Sequence, residues 1–161
     1  MSVQVLIADD HPLVLLGVRH MLAGMGDVSI VGEAHDPAGL LALLAATPCD
    51  IVITDFAMPE QPAADGLAML TAIRDGYPSV RVIVLTMLDN PVLMHTIFAM
   101  PEQPAADGLA MLTAIRDGYP SVRVIVLTML DNPVLMHTMR QAGALAVLSK
   151  RGDLDELPRA L

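Results

Sequence analysis

No apolar run in this chain reaches the roughly 18 residues that a membrane-spanning helix needs. The longest candidate, Ala38 to Cys49, is shorter and stops at Asp50. No charged leader with a cleavage site opens the chain, because Met1-Ser2-Val3-Gln4 enters a strand pattern at once. There is one cysteine, Cys49, so no internal disulfide can form. It lies among apolar residues ahead of a strand, the setting of a buried, inert thiol. Positive charge is scarce: 9 Lys and Arg stand against 18 Asp and Glu, a formal net charge of −9. Such a chain repels nucleic-acid phosphates, so these residues are not expected to bind DNA themselves. The histidines, His11, His20, His35, His95 and His137, include no close His/Cys ligand pair, which argues against a zinc site. The expectation from these absences is a soluble cytoplasmic protein.

What is present is a large apolar content, 54% of 161 residues, enough to fill the core of one domain. The middle of the chain is dominated by a repeat. Residues 56–96 read FAMPEQPAADGLAMLTAIRDGYPSVRVIVLTMLDNPVLMHT, and residues 98–138 read the same letter for letter. Solenoid repeats drift at solvent-facing positions; perfect identity over two copies instead points to a recent, engineered or artefactual duplication. Taking the tandem units as 56–97 and 98–139, removal of one 42-residue unit from the 161 leaves 119, the size of a compact α/β domain. The chain is therefore expected to be a single domain over residues 1–161. The junctions differ: Asp55 precedes Phe56, whereas Ile97 precedes Phe98. Any chemistry centred on Asp55 is not duplicated.

Apolar runs and helical spacings alternate along the chain. Val3 to Ala8 reads as a buried strand, and His11 to Met25 as a helix with Leu13, Leu16, Val18, Met21 and Leu22 at helical spacing. Val28 to Glu33 is a second strand. Asp36-Pro37 caps a helix running to about Ala46. Asp50 to Thr54 is a third strand, followed by a Pro-rich loop, a helix from Asp65 to Asp75, and a strand from Val80 to Met87. Asp89-Asn90-Pro91 opens a helix, and the second copy repeats the series. Ala144 to Ser149 is the last strand, and Asp153 begins a final helix. Alternating strands and helices with continuous apolar strands predict a doubly wound parallel sheet in the α/β class. Sites in such sheets form beyond the carboxyl ends of the strands, where Asp9, Asp10 and Asp55 fall.

Three carboxylates at neighbouring strand ends repel one another by about 4 kcal/mol per pair at 4 Å and an effective dielectric near 20. A raised pKa or a divalent cation relieves this. An all-oxygen site favours magnesium, which would also neutralise an incoming phosphoryl group. The plainer alternative makes Asp10 the N-cap of the following helix and Asp55 a solvated turn residue.

The motifs decide between these readings by resemblance. VLIADDHPLVLLGVRHML, residues 5–22, resembles the opening of receiver domains in NarL/FixJ (LuxR-type) two-component response regulators. IVITDFAMP, Ile51 to Pro59, resembles their phosphorylation-site strand. VIVLTM, Val82 to Met87 and again Val124 to Met129, resembles the strand ending in the switch threonine, and AVLSK the strand ending in the invariant lysine, Lys150. The loop from Met58 to Gly66 resembles that of the capsule-synthesis regulator subgroup. The resemblance implies a flavodoxin-like fold of strand order 2-1-3-4-5. It implies that Asp55 accepts a phosphoryl group from a sensor histidine kinase. It implies that Asp10, Asp55 and the backbone carbonyl of Ala57 ligate Mg2+, with Asp9 holding a metal-bound water. Lys150 would pair with a phosphate oxygen, and Thr86 or Thr128 would donate its hydroxyl to the phosphoryl group. The chain would be an acceptor rather than a multiple-turnover enzyme, relaying its signal to transcription. DNA contact would come only through an output domain, since no helix-turn-helix pattern occurs here, and the protein would form a homodimer. The pattern departs from the family at Val147, where an aromatic residue is usual, and at Arg151, where a cis proline is usual.

The duplication sets two copies against one place in the sheet. An extra strand gives the order 2-1-3-4-4′-5 and moves Lys150 from Asp55 by about one strand spacing of 4.8 Å. Extruding one copy exposes the apolar VRVIVL strand, and a domain swap lends it to another chain. The extra strand or the swap is expected over extrusion. Two other functions compete with signalling. One is a duplicated, non-phosphorylatable receiver serving as a structural or dimerisation module. The other is a magnesium-dependent phosphohydrolase, disfavoured because Ala57 stands where such an enzyme needs a second acid.

Overall fold

A computed structural model describes residues 2–55, 58, 63–87, 108–128 and 133–149. The chain divides into two compact units, Met1–Val84 and Leu85–Ala160. The first holds β1 (Val3–Ala8), α1 (Pro12–Ala23), β2 (Val28–Ala34), α2 (Pro37–Ala46), β3 (Ile51–Thr54), α3 (Ala63–Gly76) and the opening of β4 (Arg81–Met87). The second holds α4 (Gly108–Gly118), β5 (Arg123–Thr128), α5 (Pro133–Gln141) and β6 (Ala146–Ser149).

In the first unit the strand order is β2-β1-β3-β4, and β1–β2, β1–β3 and β3–β4 all pair in parallel. β1 pairs on both edges, and its last four residues, Val5, Leu6, Ile7 and Ala8, are buried. A continuous apolar run is what a strand covered on both faces requires. The β1–β2 register slips between Val5 and Leu6, opposite Gly32. A side chain at Gly32 would start 2.8 Å from Leu6 Cδ2, so a larger residue there would displace the buried Leu6 side chain. In the second unit β5 and β6 pair in parallel, from Ile125↔Ala146 to Thr128↔Ser149. The parallel, flavodoxin-like α/β class expected from the sequence is thus observed. The described residues hold six strands rather than five, because each copy of the repeat forms its own.

Local chemistry accounts for most of the boundaries. Asp36 caps α2 as expected, its Oδ1 accepting from the Gly39 amide at 2.6 Å, with Pro37 at the first helical position. α1 differs in detail. Its buried stripe is Leu15, Val18 and Leu22, while Leu13 and Leu16 are 81% and 56% exposed. Starting the helix at Pro12 sets its phase, and the 15-18-22 spacing keeps one face toward the sheet. α3 starts at Ala63, two residues before the expected Asp65. β6 starts at Ala146 rather than Ala144, because Gly143 turns the chain with φ +122° after α5. The helices expected from Asp89 and Asp153 lie outside the described residues.

Candidate functional site

The parallel ladder between β1 and β3 builds the site. Ala8 stands opposite Thr54, and the Asp55 amide donates to the Ala8 carbonyl at 2.9 Å. Asp9 and Asp55 are therefore the next residues on adjacent strands, leaving the sheet at the same level. Asp9 is 4% exposed and Asp55 7%. Asp10 follows, and His11 begins α1. The ligating atoms of Asp9, Asp10, His11 and Asp55 all lie within 4.8 Å of one another.

His11 organises the acids. Its amide donates to Asp9 Oδ1 at 2.8 Å, and its Nδ1 is hydrogen-bonded to the same oxygen at 3.0 Å. Nδ1 also lies 3.0 Å from Asp10 Oδ1, but out of line for a hydrogen bond. That buried oxygen has no hydrogen-bond partner among the described residues. Burial pushes the Asp9 carboxyl above its ordinary value, against the His11 hydrogen bonds that lower it. The His11 imidazole is also raised, chiefly by its hydrogen bond to Asp9, with the nearby charges of Asp10, Asp9 and Asp55 adding to it. Three carboxylates gathered at the strand ends, two of them buried and one with an oxygen that lacks a hydrogen-bond partner, form a donor set that suits a hard cation. Beneath them, the buried Thr54 hydroxyl donates to the Asp55 carbonyl at 2.9 Å and reaches Met69 Sδ at 4.0 Å.

Asp9, Asp10 and Asp55 thus come together as the strand ends foretold. Asp10 is not the helix cap: that position is His11, which makes no side-chain capping bond. Sequence reasoning missed His11 as a member of the cluster and Thr54 as its floor. His11 was legible only through its place directly after two acids; Thr54 looks like any apolar-strand threonine. Thr86 lies on β4, two residues beyond Val84, the partner of Thr54, and Thr128 closes β5. Only their backbones are described. Ala57 and Lys150 lie outside the described residues.

The chain is similar to several known proteins. A family model described as the response regulator receiver domain matches residues 5–103. The transcriptional regulatory protein RcsB of Escherichia coli strain K12 is 38% identical over 96 residues, 60% of this chain and 44% of that protein. A probable transcriptional regulatory protein NarL of Mycobacterium tuberculosis is 36% identical over 94 residues, 58% of this chain and 42% of that protein. The chain therefore spans less than half the length of these relatives. Among solved structures, two RcsB dimers bound to two parallel DNAs align with 99% of this chain and 59% of that one, at 26% identity and a TM-score of 0.57. No described helix is long and apolar enough to cross a membrane.

Proposed function

The chain belongs to the response regulator receiver domain family, and on that premise we propose that Asp55 is its phosphoryl acceptor. The observation that carries this reading is the meeting of the buried Asp55 and Asp9 with the half-buried Asp10 in one cluster. A carboxylate oxygen of Asp55 attacks the donor phosphorus in line, and the bond to the donor, a kinase histidine, breaks. The matching junction of the second copy carries Ile97, so the chain has one acceptor.

Asp10, Asp55 and the Ala57 carbonyl would hold Mg2+, with Asp9 holding a bound water. When bound, the ion neutralises charge on the phosphoryl oxygens and on the acids themselves. The orphaned Asp10 Oδ1 supports this assignment, since a ligand oxygen is the group that lacks a protein partner. Thr86 or Thr128 would donate to the phosphoryl group, and Lys150 would pair with it. The partners are a sensor histidine kinase and a second copy of the chain. Control of transcription would follow through a DNA-binding output domain, a reading supported by the relatives' names as transcriptional regulatory proteins.

Beryllofluoride with magnesium tests the assignment, because it mimics a phosphoryl group on a carboxylate. A bound-state fluorine resonance is expected from the parent chain, and none from Asp55→Asn. A parent chain with no such resonance would favour the structural or dimerisation module.

A further inference from the structure

Where both copies of the repeat are described, they make the same turn but hold different neighbours. Tyr77 and Tyr119 each donate an amide hydrogen bond at 2.8 Å, to Ile73 and Ile115 respectively. Val80 and Val122 each close the following turn on that tyrosine at 3.0 Å. The strands then diverge. In the first copy, Arg81 to Val84 pair with Ile51 to Thr54 of β3, and the Arg81 amide donates to Asp50 at 3.0 Å. In the second copy, Ile125 to Thr128 pair with Ala146 to Ser149 of β6, and the Val124 carbonyl accepts from Leu145 at 2.8 Å.

The repeat maps Arg81 onto Arg123 and Thr86 onto Thr128. One RVIVLT strand thus contains both registers: its first four residues fit β3 and its last four fit β6. Ile83 and Val84 in one copy, or Ile125 and Val126 in the other, serve both. Each copy shows the half of the pairing that the other lacks. We infer that the copies are interchangeable, so that either alone can take both β3 and β6 as neighbours while the other leaves the sheet. The β3–β4 and β5–β6 pairings would then be remade by identical residues. The inference rests on register and sequence identity and does not depend on phosphoryl acceptance.

Proline inside the strand tests it, because proline removes a ladder donor. Val84 and Val126 are both fully buried equivalents. Val84→Pro and Val126→Pro are each made in the full chain, with the double variant as control. Each single variant is expected to keep a cooperative unfolding transition, and the double variant to lose it. Limited trypsin digestion supplies a second readout. Cleavage should be faster than in the parent chain at Arg116 and Arg123 in Val126→Pro, and at Arg74 and Arg81 in Val84→Pro; fragment length distinguishes the sites. A single variant that unfolds like the double overturns the inference. So does a folded single variant with no selective cleavage, because its broken copy would not have left the sheet.

Discussion

The amide of Asp55 donates to the carbonyl of Ala8 at 2.9 Å. That ladder bond lies one residue before Asp9 on one strand and at Asp55 on the other. It brings Asp55 to the acidic pair through the backbone ladder. The site is therefore as firm as the β1–β3 pairing beneath it, and both strands are buried there.

Removing the orphaned carboxylate should expose its cost. Asp10→Asn takes one negative charge out of the cluster while keeping the shape of the side chain. The metal-free protein is expected to become more stable, because fewer like charges then meet at the strand ends. Added magnesium should then stabilise the variant far less than the parent. Urea unfolding with EDTA and with magnesium measures both effects, and a variant stabilised by magnesium as much as the parent would remove Asp10 from the ligand set.

α1 offers a sharp contrast between neighbours. Leu15 is 2% exposed and Leu13 81%. Leu15→Ala should cost about 2–5 kcal/mol, the range for emptying a core leucine site. Leu13→Ala should stay within about 0.5 kcal/mol of the parent. Denaturant midpoints of the two variants decide whether the helix phase is as described.

Much of this architecture was legible beforehand, and the exceptions have physical causes. Asp36-Pro37 announced α2 because a side-chain cap and a fixed proline φ act locally. The acids were legible because a parallel sheet exposes its strand ends. The phase of α1 was not, since Leu13, Leu15, Leu16, Val18 and Leu22 permit two apolar stripes, and only the sheet selects one. Nor could identical copies say which would meet β3 and which β6. Those neighbours come from unrepeated segments whose registers appear only in the folded chain.

Cys49 should behave as a poor nucleophile. Burial raises its thiol pKa above the ordinary cysteine value, and the charge of Asp50 raises it further. The thiolate fraction near neutral pH is therefore smaller than in an unfolded chain, and it grows as pH rises through the raised value. Iodoacetamide labelling at pH 7.5 should be slower in the folded protein than in urea, with the gap narrowing at alkaline pH. Cys49 is half-buried rather than fully buried as its apolar surroundings suggested, and equal rates at neutral pH would contradict even that shielding.

Gly143 carries a positive φ of 122°, and a side chain there would start 3.0 Å from Arg116 Cβ. Gly143→Ala should lower stability by more than the roughly 1 kcal/mol that such a change can gain at a compatible site. Thermal unfolding of the variant checks this. A neutral or stabilising effect would mean that the turn before β6 is not left-handed.

The most direct test of the account is intact-mass measurement after incubation with acetyl phosphate and magnesium. The parent chain should gain one phosphoryl group. Asp55→Asn should gain none, and neither should the parent chain with EDTA. A parent chain that stays unmodified, or an Asp55→Asn variant modified to the same extent, would contradict the claim that this cluster is a working receiver site.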